Sequence, residues 1–197
     1  TRKLAVRSVL KRVTEETPAD PAIQALAARW QELGFEAFRE EGFRPEQAVA
    51  TVPVPLDGLE SSVRNRPTAL TRLVADAVRD AVPGAELSLF NSGSIRIDDV
   101  LPPGPLTQYD LIRILPFGGT VCGGDMEGRV LRRVLDQGAS NRGKGGFLHG
   151  SGVSRDETGW RVNGEPLADG RTYKVAISDY LVSGKEQGLE FLSERGS

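Results

Sequence analysis

The sequence predicts an α+β domain of layered build, with mixed sheets flanked by helices, and three observations carry that prediction. Two stretches place apolar residues at helical spacing behind N-cap or proline signals. The last third is rich in short alternating runs around an Asn-Gly turn. Helical and extended segments also follow one another in mixed order, not as strict strand–helix repeats. The 197 residues, 39% of them hydrophobic, exceed the roughly 100 to 150 of a typical domain. One large domain with an appendage, or two small ones, is therefore expected.

Taken in order, residues 1–17 alternate Leu4, Val6 and Leu10 with Lys and Arg, the period of a half-buried strand. Asp20 followed by Pro21 is an N-cap with proline at the first helical position. Ile23, Leu26, Ala27, Trp30, Leu33, Ala37 and Phe38 then recur at helical spacing, so a helix is expected from Pro21 to about Glu40, closed by Gly42 and Pro45. Pro53 and Pro55 forbid an interior helix over residues 46–57, which read as extended chain. A second helix is expected over Thr68–Ala81, with Leu70, Leu73, Val74, Ala77 and Val78 on one face and Pro83-Gly84 as its stop.

A strand follows over Glu86–Phe90, then a small-residue loop Asn91-Ser92-Gly93-Ser94 and a short strand Ile95–Ile97. Thr107 and Asp110 have capping-box spacing and open a short helix. Residues Ile112–Phe117 and Thr120–Gly123 read as strand or loop, and Met126–Gln137 as a helix stopped by Gly138. Residues 138–146 form a Gly-rich loop. Phe147–Val153, the hairpin arms Trp160–Val162 and Glu165–Leu167 around Asn163-Gly164, and Thr172–Ser178 complete the prediction as strands.

Composition removes several classes of function. A formal net charge of −2 denies the chain the global basic charge of non-specific nucleic-acid binders. One Cys permits no internal disulfide, and one His no metal site built from several histidines. No apolar run approaches the roughly 20 residues that span a bilayer, and Thr1-Arg2-Lys3 does not open a secretory signal. A soluble chain, intracellular or already trimmed, is the expectation from these features. Gly143-Lys144-Gly145 lacks the spacing of a P-loop.

The strongest local signal for chemistry is Asn91-Ser92-Gly93-Ser94-Ile95-Arg96. A strand running into a small-residue loop exposes backbone N–H groups, and the forked donor of Arg96 follows, which together suit phosphate or carboxylate. An ordinary turn with a surface Arg has the same sequence. Arg64 and Arg66 precede the second long helix, where either an anion site or a solvated basic stretch fits. Phe117, beside Gly118 and Gly119, is either a core ring or a stacking platform that glycines leave open to a flat ligand. Tyr180, after Asp179, poses the same choice. His149 is expected at solvent or a sheet edge, and Cys122 as a small buried hydrophobe.

In this order, Leu56-Asp57-Gly58, Val63-Arg64, the helix around Leu73–Ala77, Asn91–Arg96, Leu115-Pro116-Phe117-Gly118-Gly119-Thr120, Gly128 with Leu131, Phe147 through Gly152, and Tyr173–Ala176 through Asp179-Tyr180-Leu181 resemble the C-terminal domain of the 5'-nucleotidase family. That family includes UDP-sugar hydrolases and 2',3'-cyclic-nucleotide phosphodiesterases. The resemblance implies a nucleotide-binding domain over residues 46–197, a linker helix over residues 18–45, and a last strand of a separate metallophosphoesterase domain over residues 1–17. It implies that Arg64, Asn91, Gly93 and Arg96 meet the phosphate and sugar end of the substrate, and that Phe117 and Tyr180 sandwich the base. Glu186, within Gly184-Lys185-Glu186-Gln187-Gly188, is the position that matches the family's ribose-binding acid. Pro67, Ala69, Thr71 and Arg72 depart from the family pattern before and within the second long helix.

The resemblance further implies two divalent metals in an N-terminal partner domain, none in this chain, and a periplasmic, secreted or cell-surface setting. By itself the chain is expected to be inert, the substrate-binding part of a hydrolase of nucleotide phosphoesters. A free-standing nucleotide-binding module without hydrolysis, or a degenerate domain without a pocket, is the alternative. Its expected partners are a nucleotide and its own metal-bearing domain, not nucleic acid.

Overall fold

Asp20 accepts hydrogen bonds from the N–H groups of Ala22 and Ile23, and Pro21 opens the first helix, α1 (Pro21–Glu40). The computed structural model describes residues 6–14 and 16–195. One compact unit ends at Pro45 and a second begins at Glu46. In the first, Gly42 turns the chain with a φ of +90°, and Phe43 meets Phe38 edge to face at 6.3 Å. Phe35 is buried, while Ile23, Leu26, Trp30 and Leu33 lie exposed along the same helix. Residues 6–14 take no strand, contrary to the alternation of their sequence, because a strand needs a ladder partner and period alone supplies none. The other part of that expectation, at residues 1–5 and 15, falls outside the described residues.

The second unit opens with β1 (Ala48–Val52) and β2 (Leu56–Asp57), whose partners come from later in the chain. A single turn, α2 (Glu60–Val63), precedes α3 (Ala69–Asp80), which is fixed at its start by reciprocal Thr68–Thr71 capping. Then come β3 (Leu87–Asn91), β4 (Val100–Leu101) and β5 (Gly104–Thr107). β4 pairs with β2, and β5 with β1. The Thr107–Asp110 capping box opens α4 (Gln108–Ile114), which ends before β6 (Val121–Glu127). α5 (Gly128–Ser140), β7 (Leu148–His149) and the small sheet of β8 (Val153–Asp156), β9 (Gly159–Val162) and β10 (Glu165–Pro166) follow. β11 (Thr172–Ser178) runs into the short α6 (Asp179–Val182).

The central sheet has the order β6-β11-β3-β7, with β11 parallel to β3 and antiparallel to β6. Because side chains alternate across a strand, Leu87 and Leu89 of β3 enter one core with Leu131 and Leu135 of α5, whereas Phe90 enters another with Leu70 and Ala75 of α3. The sheet thus carries a helix layer on each face, and the mixed α+β build is as predicted.

Several local expectations change. Ile95–Ile97 forms no strand: Ser92–Ser94 is a 3-10 turn, and Arg96 gives its N–H to Ile114 O. Ile112–Phe117 is not extended, since its first residues complete α4. Phe147–Val153 is divided between β7 and β8 by a bend at Gly150–Gly152, where added Cβ atoms would lie 2.3 and 2.4 Å from the carbonyl oxygens of Ser88 and Glu86. α5 passes Gly138 and reaches Ser140, the glycine lying flat against Leu148. Cys122 is half-buried rather than buried, on the edge strand β6.

His149 lies on β7, an edge strand of the central sheet, as one of its two expected places had it, but its side chain is buried rather than at solvent. It sits between the rings of Phe90 and Phe147, and its Nε2 lies 2.7 Å from Val63 O. A carbonyl only accepts, so Nε2 carries the proton in that bond. Burial pushes the His149 pKa below its usual value, opposed by the bond to Val63.

Candidate functional site

The parallel strands β3 and β11 end side by side, and a cavity of about 570 Å³ opens just beyond them. β3 is buried over its whole length. Its last residue, Asn91, leads into the 3-10 turn, which is stitched to the Gly-rich loop: Gly93 donates its N–H to Gly145 O at 2.7 Å, and Ser92 Oγ lies 3.0 Å from the same oxygen. A Cβ on Gly93 would come within 3.2 Å of the Gly145 backbone. This close approach, rather than an unusual φ, is what favours glycine here.

Asn91 then bridges inward. Its Nδ2 donates to Glu186 Oε2 at 3.1 Å and its Oδ1 accepts from Ser94 Oγ at 2.7 Å. Glu186 is only 8% exposed, and its other oxygen takes the N–H of Gln187 at 3.1 Å. A carboxylate so placed keeps lone pairs for a hydroxyl donor while the amide of Asn91 fixes its orientation.

The other wall carries two rings. Phe117 is 69% exposed and stands before Gly118 and Gly119, whose φ values of +65° and +111° turn the chain sharply back. The Arg96 guanidinium lies over its face, 5.2 Å from the centroid. Tyr180 is 42% exposed, with its hydroxyl 3.4 Å from Lys185 O. Neither ring is core, so the choice left open for both resolves toward accessible faces at the cavity. Lys144, in the glycine loop, adds a second cation to its lining.

Asn91, Gly93, Arg96, Phe117, Tyr180 and Glu186 therefore all line one cavity. Arg64 does not. It pairs with Glu60 at 2.9 Å and lines a neighbouring cavity with Asn65, Asp98 and Gly143. Arg66 is held by Asp57 and Ser62, each at 3.0 Å. Lys144 and Ser178 join the lining without having been singled out in the sequence. A lone cation inside a run of glycines was a signal for the first; nothing local marks the second.

Among the described residues, no three His, Cys, Asp or Glu side chains gather to hold a metal ion. The sole histidine is committed to Val63 in the interior. The donor set here does not fit a two-metal centre, and no step through metal is assigned to this chain.

The fold and cavity define a layered α+β domain with its cleft at the carboxyl ends of its parallel strands, where open sheets commonly hold ligands. The chain belongs to the family of the 5'-nucleotidase C-terminal domain, whose model matches residues 48–194. It is 29% identical over 158 residues to the trifunctional nucleotide phosphoesterase protein YfkN of Bacillus subtilis, covering 70% of this chain and 11% of the relative. It is 25% identical over 177 residues to protein UshA of Yersinia enterocolitica, covering 87% of this chain and 30% of that one. The crystal structure of a 5'-nucleotidase precursor from Thermus thermophilus matches with a TM-score of 0.65 and 27% identity, over 89% of this chain and 36% of the other. The chain thus spans between about a tenth and about a third of the length of these proteins. Among the described residues, no helix is long and apolar enough to cross a membrane.

Proposed function

We propose that this chain is the nucleotide-binding part of a metal-dependent hydrolase of nucleotide phosphoesters, acting with an N-terminal metallophosphoesterase domain that carries the catalytic metals. The observation that carries the reading is the pairing, around one cavity, of two exposed aromatic faces with a cation, its guanidinium over one of those rings: Phe117, Tyr180 and Arg96. A flat ring between two aromatic faces gains about 1–3 kcal/mol per stacked base, whichever base it is. Arg96 and Lys144 neutralise phosphate charge near the cleft, and Glu186, oriented by Asn91, accepts from a sugar hydroxyl. What supports the nucleotide in particular is the family and the naming of its relatives as nucleotidases and nucleotide phosphoesterases. The metals would supply water activation in the partner domain, and this chain's residues bind and orient. A periplasmic, secreted or cell-surface setting accompanies the reading.

Titration calorimetry with AMP, UMP and inorganic phosphate tests it. The chain should bind both nucleotides, each more tightly than phosphate, and turn over neither. Failure to bind any nucleotide would leave a degenerate domain as the answer. Nucleotide-independent binding of phosphate alone would remove the base-stacking role.

A further inference from the structure

A second cavity, of about 200 Å³, opens beside the edge strand β7, between the first turn of α3, the end of α5 and the β8–β9 hairpin. It shares no lining residue with the cleft of Phe117 and Tyr180. Its volume falls below the roughly 300–1,000 Å³ of cavities that hold drug-sized ligands, so its occupant is smaller than a nucleotide. The lining divides by chemistry. Phe147, Leu148, Val153 and Trp160 are half-buried, which leaves part of each apolar side chain uncovered. Trp160 is fixed in place, its Nε1 donating to Asp136 Oδ1 at 2.8 Å and the Arg155 guanidinium lying 5.1 Å from its ring centroid. Among the described residues that line the cavity, the charged ones are Arg72 and Arg155, both exposed. Pro67, Thr71 and Arg72, which depart from the family pattern, all border it, so those departures fall together at one place away from the nucleotide cleft.

We propose that this cavity is a second binding site, which takes a small amphiphilic acid: an oxyanion head met by Arg72 and Arg155, on a short apolar body laid against Phe147, Leu148, Val153 and Trp160. A guanidinium presents a fork of N–H donors that matches an oxyanion in geometry as well as in charge. An arginine resting on an indole uses its flat face for that contact and keeps the N–H edge for a ligand. Neither part of the lining suffices by itself. Exposed cations hold a bare anion weakly because water screens them, whereas covering an attached hydrocarbon adds a contribution that screening does not touch. The proposal goes beyond the nucleotide reading and stands or falls independently of it.

The test is a titration of hexanoate into the chain carrying Trp30→Phe, which leaves Trp160 as its one tryptophan. Trp160 emission should change saturably, with a midpoint of about a millimolar for a ligand of this size. Hexanamide, with the body but no charge, should bind about threefold or more weaker, and acetate, with the charge but little body, about tenfold or more weaker. Arg72→Ala should weaken hexanoate about three- to tenfold and Arg72→Glu further, while hexanamide binds both variants as it binds the parent. Arg72 is exposed on α3, so melting curves should show both variants folded. The absence of a saturable change overturns the proposal. So does a hexanoate affinity that neither Arg72 variant alters, since the acid would then sit elsewhere. Hexanamide binding as tightly as hexanoate removes the part given to the arginines, acetate binding as tightly removes the part given to the apolar wall, and either result overturns the proposal too.

Discussion

Thr120 and Asp179 hold each other by two hydrogen bonds of 3.0 Å: the Thr120 N–H donates to Asp179 Oδ2, and the Asp179 N–H donates to Thr120 O. They continue the antiparallel ladder of β6 and β11 one step beyond Val121 and Ser178. Phe117 precedes one partner by three residues and Tyr180 follows the other directly, so this clasp ties together the segments that carry both rings. A Cβ on the intervening Gly119 would come within 3.0 Å of Asp179 Oδ1.

Asp179→Asn should loosen that tie. An amide presents an N–H where the carboxylate oxygen accepted one, to Thr120 or to Tyr180. The clasp is solvent-exposed, so the expected cost is about 1 kcal/mol, or roughly 2–4 °C in melting temperature for a chain of this size. Affinity for AMP should fall while that for inorganic phosphate holds. Calorimetry and a melting curve check both, and AMP binding equal to wild type would deny Asp179 a positioning role.

Phe117→Ala and Tyr180→Ala should each weaken AMP binding about five- to hundredfold, the range of one lost base stack. Both rings are substantially exposed, so neither variant should lose its fold, which circular dichroism would report. Parallel loss of phosphate affinity would mean that the rings shape the cavity instead of stacking on a base.

Arg96→Ala and Arg64→Ala separate the two cavities. Arg96 lines the cleft with the rings, so its removal should cost a charge-assisted bond, about ten- to hundredfold in AMP affinity. Arg64 is paired with Glu60 in the neighbouring cavity, so Arg64→Ala should cost less. Equal losses from both would show that the bound nucleotide reaches across the Gly143–Gly146 loop.

Stability should depend on His149 as the solution is acidified. Its folded pKa lies below the ordinary value of 6.5, so the unfolded chain takes up the proton first. The contribution is fully present above about pH 6.5 and is lost as pH falls toward and through the lowered folded value. His149→Gln does not titrate, so its melting temperature should decline less than that of wild type between about pH 7 and pH 5. Identical slopes would show that His149 takes no part in the acid response.

Much of the fold was legible because local rules wrote it. Asp20 and Pro21 start α1, Thr107 and Asp110 start α4, and Asn163-Gly164 turns the β9–β10 hairpin, Asn163 with a φ of +50°. β11 spans Thr172–Ser178 as its alternation predicts. These features join residues a few positions apart, so the chain carries them wherever it is placed. The residues of the cleft were also visible, as a small-residue loop with Arg96 and as aromatics beside glycine or at a strand end.

Only the tertiary structure decided which of them meet. Asn91 and Glu186 bond across 95 positions, a partnership that no spacing rule describes. Arg64, as basic and as near a helix as any anion contact, lines a different cavity from Arg96, with Asp98 and Gly143 from segments far along the chain. His149 sits on the edge strand β7, yet its side chain lies inside because Phe90, Phe147 and the Val63 carbonyl surround it. Residues Ile112–Ile114 share their apolar character with strands and helices alike, and the capping of Thr107 won over that ambiguity. The sequence by itself determined the elements and the chemical groups available to the cleft, because caps, turns and periodicity act over a few residues. The pairing of those groups was left to packing, because burial and hydrogen-bond satisfaction are settled only when distant segments compete for the same space.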